Sequence, residues 1–389
     1  MSQFFCGKWN YPTSIVFVPG EIERLPEHCH AMGMTNPLIV TDSALANLAF
    51  FRDWLARMES KDFSYALFSD VKPNPTGANV ADGVAAFRQA DCDGVVAIGG
   101  GSGLDAGKSV ALMARQTIDL FDLEDAGDNW LRADVNAMAP CIAIPTTAGT
   151  GSEVGRAAVI LDEAVKVKKI IFHPRMLPGL VVADPELTFG LPAHLTAATG
   201  LDAFIHSFEA FCAPGFHPMV DGIAVEGMRL IWQWLETACQ QPDHLEARSQ
   251  MLVASSMGAT AFQKGLGAVH ALAHPLGALY DKHHGLLNAI LLPYVIAANR
   301  SAISERVTYL CRCLDIANPG VESFLAAILD WRQRLGIPQD LASIDIDAAQ
   351  AESVAAMALA DPSSGGNPIA FNEADYKRIF INAVEGRIL

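Results

Sequence analysis

Short runs of apolar residues in the first half of the chain constrain the fold most strongly. Each run is five residues long, is nearly continuous in Val, Ile and Ala or other apolar residues, and is bounded by Gly, Pro, Asp or Asn. The runs are Ser14–Val18, Pro37–Thr41, Tyr65–Ser69, Gly94–Ile98, Cys141–Pro145 and Gly179–Ala183. Strands buried on both faces have this composition, and the helical stretches between them predict a parallel α/β sheet.

After Asp184-Pro185 the pattern changes to long apolar stretches at helical spacing, without convincing strands. The clearest stretches are His194–Cys212, Val220–Cys239, His244–Leu266 and Ser301–Leu314. The sequence therefore predicts two domains, an α/β domain over residues 1–187 and an all-helical domain over residues 188–389.

A glycine-rich segment follows the fourth of the apolar runs. Gly99-Gly-Gly-Ser-Gly103 separates a strand pattern from a helix pattern that begins near Leu104. Backbone N–H groups and the helix dipole make such a junction a site for phosphate, and glycines let the phosphate approach the main chain. A plain strand-to-helix turn is the alternative. A nucleotide P-loop fails on spacing, because Ser102 stands where its first glycine is required.

An acidic residue ends an earlier strand pattern. Asp42 follows Leu38-Ile-Val-Thr41, where a carboxylate can accept hydrogen bonds from the ribose of a dinucleotide and repel a 2′-phosphate. This position favours NAD over NADP. The alternative is that Asp42 only caps the following helix.

Histidines and one carboxylate recur at helical spacing in the second half. Asp202 and His206 are four residues apart, as are His270 and His274, and His284 follows. Residues four apart lie on one helix face, so their side chains can converge. One carboxylate with several imidazoles suits Fe²⁺, Zn²⁺, Ni²⁺ or Mn²⁺, and an incomplete protein shell indicates catalysis. Hydrogen-bonded histidines without a metal are the alternative.

The charge of the chain argues against several partners. There are 27 Lys+Arg against 43 Asp+Glu, a formal net charge of −16, with no basic stripe. We expect no binding to nucleic acid or to an anionic membrane. No apolar run approaches the roughly 18 residues that span a bilayer. The eight cysteines form no CxxC pair, which predicts free thiols and a cytoplasmic protein.

Taken in order, several motifs resemble those of the iron-containing (group III) alcohol dehydrogenase family. They are Pro73-Asn-Pro-Thr76, Gly99-Gly-Gly-Ser102 with Asp105, Pro145-Thr-Thr-Ala-Gly-Thr-Gly-Ser-Glu153, Asp184-Pro185, Ala198-Thr-Gly-Leu-Asp202-Ala-Phe-Ile-His206 and His270-Ala-Leu-Ala-His274 through His284-Gly285. The similarity covers almost the whole chain. It implies an N-terminal Rossmann-like NAD-binding domain and an all-α metal-binding catalytic domain, the dehydroquinate synthase-like architecture.

The resemblance also implies roles for individual residues. The metal ligands are expected at Asp202, His206, His270 and His284, and His274 is expected near the metal as a proton-transferring catalytic residue. The cofactor contacts are expected at Asp42, Asn74, Gly100, Gly101, Ser102, Asp105, Thr146, Thr147, Thr150, Lys168 and Leu187. The sequence departs from the family's pattern at His217, Tyr294 and Ile369, which leaves the substrate open.

The implied function is a metal-dependent oxidoreductase. Hydride would pass between NAD(H) and a small primary alcohol or diol, or its aldehyde, with the substrate oxygen bound to Fe²⁺, or alternatively Zn²⁺. A homodimer is expected from the resemblance. The alternatives are an NAD-bound lyase or cyclase of the dehydroquinate synthase type, a maleylacetate reductase-like enzyme and a non-enzymatic binding protein.

Overall fold

Strands and helices alternate in the first half of the computed structural model, which describes residues 13–388. Residues 13–147 and 151–188 form one unit, here called the α/β unit, and residues 148–150 and 189–388 form a second, the helical unit. The strands are β1 Ser14–Phe17, β2 Pro37–Asp42, β3 Ala66–Val71, β4 Gly94–Gly99, β5 Cys141–Pro145, β6 Ala157–Asp162, β7 Val167–Phe172 and β8 Leu180–Ala183. The helices of the α/β unit are α1 Leu25–Ala31, α2 Ser43–Ala46, α3 Ala49–Ser60, α4 Gly77–Gln89 and α5 Gly101–Met113.

Six of the strands form one parallel sheet, in the order β1-β8-β5-β4-β2-β3. These six are the strands that the apolar runs predict, with bounds that differ by two residues at most. The predicted parallel α/β fold is therefore confirmed.

Alternate residues of the central strands β2, β4 and β5 enter separate cores on the two faces of the sheet. On β4, Val95 and Ala97 contribute to the core that contains Phe87 of α4. Val96 and Ile98 of the same strand contribute to the core that contains Trp54 of α3. Because both faces of β4 are covered, none of its side chains faces water, which explains its continuous apolar sequence.

A β-hairpin occupies the interval between β5 and β8, where the sequence analysis expected a helix. Strands β6 and β7 pair antiparallel from Ala157↔Phe172 to Asp162↔Val167. Side chains on β6 are alternately buried and half-buried, with Ala158 and Ile160 inside. This period of two is typical of a strand with one covered face, and it distinguishes the hairpin from the fully buried strands.

Helix α5 lies unusually close to the strand that precedes it. A Cβ added to Gly107 would lie 2.4 Å from Ala97 Cβ and 2.9 Å from Ala97 Cα. Such distances are shorter than any van der Waals contact, so only glycine allows this approach. The start of α5 is thereby held against the end of β4.

The helical unit contains eight α-helices among its described residues. They are α6 Ala193–Cys212, α7 Pro218–Gln240, α8 Leu245–Ala261, α9 Ala268–Tyr280, α10 His284–Cys313, α11 Val321–Arg334, α12 Ala351–Ala360 and α13 Glu373–Glu385. Helix α6 is buried from Thr196 to Cys212 and forms the core of the unit. The predicted all-helical second half is confirmed.

Two helix boundaries differ from the expectation. Helix α8 ends at Ala261 instead of Leu266, and α10 begins at His284, well before the predicted Ser301. Pro293 lies inside α10, and an internal proline obscures a helix in the sequence because it cannot donate a backbone hydrogen bond.

Helix α10 is long and apolar enough to cross a membrane by length and composition alone. Its most apolar stretch is 72% buried inside the structure, however. Core helices of soluble proteins have the same properties, so the helix is weak evidence for a span.

The close contact of α5 and β4 leads to a test with two glycines. Gly107→Ala should lower the free energy of unfolding by about 1–3 kcal/mol, because the added methyl group overpacks the contact with Ala97. Gly222→Ala on α7 is the matched control: no atom lies within 4 Å of its added Cβ. We expect the control to stabilise the protein by about 0.5–1 kcal/mol, since alanine favours helix. Urea denaturation measures both, and an unaffected Gly107→Ala protein would contradict the packing argument.

Candidate functional site

The donor atoms of four side chains converge in the helical unit. Asp202 and His206 lie one turn apart on α6, His270 lies on α9, and His284 is the first residue of α10. Asp202 Oδ1 is 3.8 Å from His206 Nε2, and 3.7 Å from both His270 Nε2 and His284 Nε2. Ligand atoms about 2.1 Å from a tetrahedral metal ion are roughly 3.4 Å apart. The donors therefore have nearly the spacing of a metal shell.

The approach of α10 to α6 depends on a glycine. A Cβ added to Gly285 would lie 2.5 Å from Ala198 O and 3.3 Å from Asp202 Cβ. Any larger residue would push the first turn of α10 away from α6. Gly285 thus allows the neighbouring His284 to reach the carboxylate of Asp202.

The charges in this cluster favour a cation. Burial raises the pKa of Asp202, but the facing imidazoles of His206, His284 and His270 outweigh it and hold the pKa well below its usual range. Burial lowers the pKa of His206 to about 4. Burial also acts to lower the pKa of His270, but the carboxylates of Asp202 and Glu209 raise it to about 9. An ionised carboxylate that faces imidazole nitrogens is a donor set for a divalent metal.

A buried amide lies at the point on which these donors converge. Asn288, one turn after His284 on α10, has its Nδ2 atom 2.7 Å from Asp202 Oδ1, 3.2 Å from His270 Nε2 and 3.0 Å from His284 Nε2. Polar atoms of three side chains thus surround one amide group. The point attracts positive charge, and a metal ion would compete with the amide for the same lone pairs.

In the α/β unit, the glycine-rich segment forms the junction of β4 and α5. Gly99 has a φ of +143°, and Gly100 is the N-cap of α5. A Cβ added to Gly103 would lie 2.9 Å from Ile98 O, so the first turn of the helix needs glycine to lie this close to the strand. As N-cap, Gly100 has no side chain to offer the N–H groups of that turn, which leaves them suited to an anion.

The carboxyl ends of β2 and β4 mark the switch point of the sheet. These strands are neighbours, and the chain continues outward from them in opposite directions, to β3 and to β5. Ligands of open α/β sheets bind in the crevice at such a point. Asp42 Oδ2 would be 3.6 Å from a Cβ on Gly99, and Thr146 N donates to Gly99 O at 2.9 Å. Asp42, Gly99 and Thr146 therefore share one edge.

Asp42 caps the next helix, as the alternative interpretation expected. Its Oδ1 atom accepts a hydrogen bond from Leu45 N at 2.9 Å, which satisfies the first turn of α2. The cap uses one oxygen of the carboxylate, so capping and recognition of a ribose are compatible at this residue.

Four more of the predicted cofactor residues, Asn74, Ser102, Thr147 and Lys168, lie close together. Ser102 Oγ donates to Pro73 O, and Lys168 Nζ donates to Asn74 Oδ1 at 2.7 Å. A Cβ added to Gly100 would lie 3.3 Å from the Thr147 side chain. The loop before α4, the start of α5 and the β6–β7 hairpin thus contribute to one part of the α/β unit.

Two charged residues of α5, Asp105 and Lys108, bond the β6–β7 hairpin and the loop before it. The carboxylate of Asp105 accepts hydrogen bonds from Ser152 Oγ and from Val159 N, the latter at 2.8 Å. Lys108 Nζ donates to Ser152 O at 2.9 Å and to Ala157 O, and pairs with Asp105 at 3.4 Å. The lysine is buried and its ammonium is engaged by these oxygen atoms, which agrees with the failure of the P-loop spacing.

Comparison with known proteins identifies the family. Residues 12–185 match the family described as iron-containing alcohol dehydrogenase, and residues 196–384 match the C-terminal part of the Fe-containing alcohol dehydrogenase family. A 4-hydroxybutyrate dehydrogenase of Cupriavidus necator is 39% identical over 380 residues, which cover 95% of this chain and 97% of the relative. The chain belongs to the iron-containing alcohol dehydrogenase family. It is an enzyme of the alcohol dehydrogenase class, as the motifs predict.

Similar solved structures have the same fold. A 1,3-propanediol oxidoreductase superimposes with a TM-score of 0.91 at 36% identity, covering 97% of this chain and 100% of that one. A sulfoacetaldehyde reductase from Bifidobacterium kashiwanohense, solved in complex with NAD⁺, superimposes with a TM-score of 0.88 at 26% identity, covering 97% and 99%. The dehydroquinate synthase-like architecture expected from the resemblance is confirmed.

Three polar residues next to the candidate metal-ligand cluster were not found by the sequence analysis. Asn288 is one, Glu209 bonds His270, and Asp361 Oδ2 lies 2.8 Å from His274 Nδ1. Glu209 had a signal, since it is seven residues after Asp202 and so on the same face of α6. Asp361 had none, because 87 residues separate it from its partner.

Leu187 and Thr150 are two further predicted cofactor residues. Leu187 is buried in the core of the α/β unit, in the cluster that contains Ile98 and Ile144. Thr150 belongs to the helical unit. The departures from the family's pattern have local partners: His217 Nδ1 caps α7 by accepting from Val220 N, and Tyr294 donates to Gln339 O at 2.7 Å.

Replacing Lys108 tests whether this residue supports the structure or binds the cofactor. Lys108→Met should lower the free energy of unfolding by about 3 kcal/mol, because it removes the buried ammonium that pairs with Asp105 and donates to Ser152 O and Ala157 O. Lys72→Met is the matched control, since its exposed ammonium pairs only loosely with Glu163, at 3.6 Å; we expect a change below about 0.5 kcal/mol. Urea denaturation and NAD titration measure the two roles. Weaker NAD binding at unchanged stability would identify Lys108 as a phosphate ligand instead.

Proposed function

We propose that this enzyme transfers hydride between NAD(H) and a small primary alcohol or diol, or the corresponding aldehyde. The convergence of one carboxylate and three imidazoles, Asp202 with His206, His270 and His284, is the observation that carries the proposal. A donor set of this kind, in a chain that also has a glycine-rich junction of a strand and a helix, suits metal-assisted dehydrogenation. Residues 1–187 are assigned to NAD binding and residues 188–389 to metal binding and catalysis.

The four donors would hold one divalent metal ion, with Fe²⁺ as the first candidate and Zn²⁺ as the alternative. The spacing of their donor atoms and the depressed pKa of Asp202 support this fit. When bound, such an ion acts as a Lewis acid toward an alcohol or carbonyl oxygen. The chain's own contribution is to keep the carboxylate ionised and the imidazole nitrogens directed at one point.

NAD would be held by residues of the α/β unit and by Thr150, at the positions where the family binds its cofactor. The proposed residues are Asp42, Asn74, Gly100, Gly101, Ser102, Asp105, Thr146, Thr147, Thr150, Lys168 and Leu187. The open N–H groups at the start of α5 suit the pyrophosphate, and the sulfoacetaldehyde reductase was solved with NAD⁺. NAD supplies the hydride acceptor for alcohol oxidation. Asp105 bonds the hairpin, so we propose that it supports the cofactor site without contacting NAD directly.

His274 is proposed as the residue that takes the hydroxyl proton during oxidation. Its Nδ1 atom is 2.8 Å from Asp361 Oδ2, so a proton on Nδ1 is held by the carboxylate and Nε2 is left to accept. Its ring stacks on that of His284 with centroids 5.4 Å apart, which puts it beside a proposed metal ligand. Oxidation then gives an aldehyde, NADH and one proton, and reduction runs the same path in reverse.

The substrate is proposed to be small. Phe262 lies against the His206 ring, with ring centroids 5.2 Å apart, so apolar surface adjoins the ligand cluster. Relatives named for 4-hydroxybutyrate and 1,3-propanediol support short substrates with a primary alcohol. The net charge of −16 supports a protein that binds neither nucleic acid nor membrane. We further propose a cytoplasmic homodimer; the seven cysteines in the described residues are free thiols, while Cys6 lies outside those residues.

The preference for NAD over NADP is tested at Asp42. Asp42→Ser removes the carboxylate but keeps a good helix cap, since serine caps as well as aspartate. The ratio of kcat/KM for NADP⁺ to that for NAD⁺ should rise about tenfold, which corresponds to about 1.4 kcal/mol. Asp42→Ala provides the comparison that loses both functions. An unchanged ratio in Asp42→Ser would leave Asp42 as a helix cap only.

The reaction itself is tested by NADH formation with short alcohols, diols and 4-hydroxybutyrate. The protein is stripped with a chelator and reloaded with Fe²⁺ or Zn²⁺. We expect activity to return with one of these metals, and His270→Ala to lose metal binding and turnover while it retains NAD affinity. His194→Ala, at an exposed position on the same helix as Asp202, should behave as wild type. A His270→Ala protein with normal turnover, or a reloaded wild type that is silent on every substrate, would refute the proposal.

A further inference from the structure

A carboxylate outside the proposed ligand set makes three hydrogen bonds next to the ligand cluster. Glu209 is buried on α6, on the same helix face as Asp202 and His206. Its Oε2 atom accepts from Gly267 N at 2.9 Å and bonds His270 Nδ1 at 2.6 Å, and its Oε1 atom accepts from Val269 N at 2.7 Å. One side chain of α6 therefore contacts the start of α9 at three points.

These bonds replace a cap that α9 lacks. The N-cap of α9 is Gly267, which has no side chain to bond the free N–H groups of the first turn. Glu209 satisfies the N–H groups of Gly267 and Val269, and Asn367 Oδ1 accepts from Ala268 N at 3.2 Å. A Cβ added to Gly267 would lie 2.9 Å from Glu209 Oε1, so glycine is needed there for the carboxylate to reach the helix.

The third bond determines which nitrogen of His270 can bind a metal. A carboxylate only accepts hydrogen bonds, so Nδ1 must carry a hydrogen where it meets Glu209. Nε2, which is 3.7 Å from Asp202 Oδ1, is then the nitrogen that faces the ligand cluster, where a metal ion would replace any proton on it. Hydrogen bonds of this kind from the far side of a ligating histidine are known to fix its tautomer and orientation.

We infer that Glu209 is a positioning residue for the metal centre: its carboxylate sets the tautomer and orientation of His270, and through them the affinity for the divalent ion. This inference rests on the metal site of the proposed function. Because Glu209 also caps α9, a purely structural role is the competing explanation, and the experiment has to separate the two.

Glu209→Gln is the test variant, because glutamine has nearly the same shape but presents one donor in place of an acceptor. An amide NH₂ that faces His270 favours the ring with its hydrogen on Nε2, the tautomer that cannot bind a metal there. Asn367→Ala is the matched control: it removes the bond to Ala268 N and a buried pair with Asn299, and leaves the His270 contact intact.

Chelator-stripped full-length protein is titrated with Co²⁺ and followed by visible absorption, with Zn²⁺ in competition. We expect Glu209→Gln to bind Co²⁺ about 10–100-fold more weakly than wild type, with an altered spectrum. Asn367→Ala should melt at a lower temperature but keep the affinity and spectrum of wild type. Equal affinity and an identical spectrum in Glu209→Gln, or an equal loss of affinity in Asn367→Ala, would overturn the positioning role.

A measurement on wild type covers the case in which Glu209→Gln does not fold. In Zn²⁺-loaded protein labelled with ¹⁵N-histidine, the His270 ring should carry its hydrogen on Nδ1, with the resonance assigned by its loss in His270→Ala. A hydrogen on Nε2 would overturn the inference. If wild type binds neither Co²⁺ nor Zn²⁺, the proposed metal site fails and this inference with it, whereas wild-type binding with no effect of Glu209→Gln overturns only the positioning role.

Discussion

A buried carboxylate, Asp202, dictates how the helical unit is built around it. An ionised group in a protein core is costly unless opposite charge or hydrogen-bond donors surround it. Helix α6 carries this carboxylate through the centre of the unit, and the first turns of α9 and α10 bring His270 and His284 to it. Glycines 267 and 285 allow both turns to lie within contact of α6. The same arrangement that compensates the charge produces a donor set for a divalent cation.

In the α/β unit too, the structure depends on glycines that let a helix lie close to a strand. Gly107 lets α5 lie on β4, and Gly103 lets its first turn approach the carbonyl of Ile98. The polar edge at the ends of β2, β4 and β5 follows from this geometry, since parallel strands end on the same side. Lys108 and Asp105 bond the hairpin and the loop before it, so Asp105, expected to contact the cofactor, makes its observed contacts within the protein.

Much of the fold and of the candidate site was predictable, because the sequence patterns that indicate them are local or repeat at a fixed period. Strands buried on both faces leave apolar runs, as in Gly94–Gly99, and helix faces leave the spacing of Asp202 and His206. The hairpin at residues 157–172 was missed because its one-sided burial leaves a weaker pattern. Asp361 was missed because its partner is distant in sequence, and no spacing rule relates such residues. Asn288 is four residues after His284, but its other two partners, Asp202 and His270, are distant in sequence.

By itself the sequence determined the parallel α/β and all-helical halves, the glycine junction, the candidate ligands and, through its motifs, the family. These follow from periodicity and residue chemistry, which act over a few positions. Only the tertiary structure decided that Glu209 bonds His270, that Asn288 lies among the ligand atoms and that Asp105 holds the hairpin. Such contacts join residues far apart in the chain, and they depend on how closely helices and strands approach, which a linear pattern does not specify.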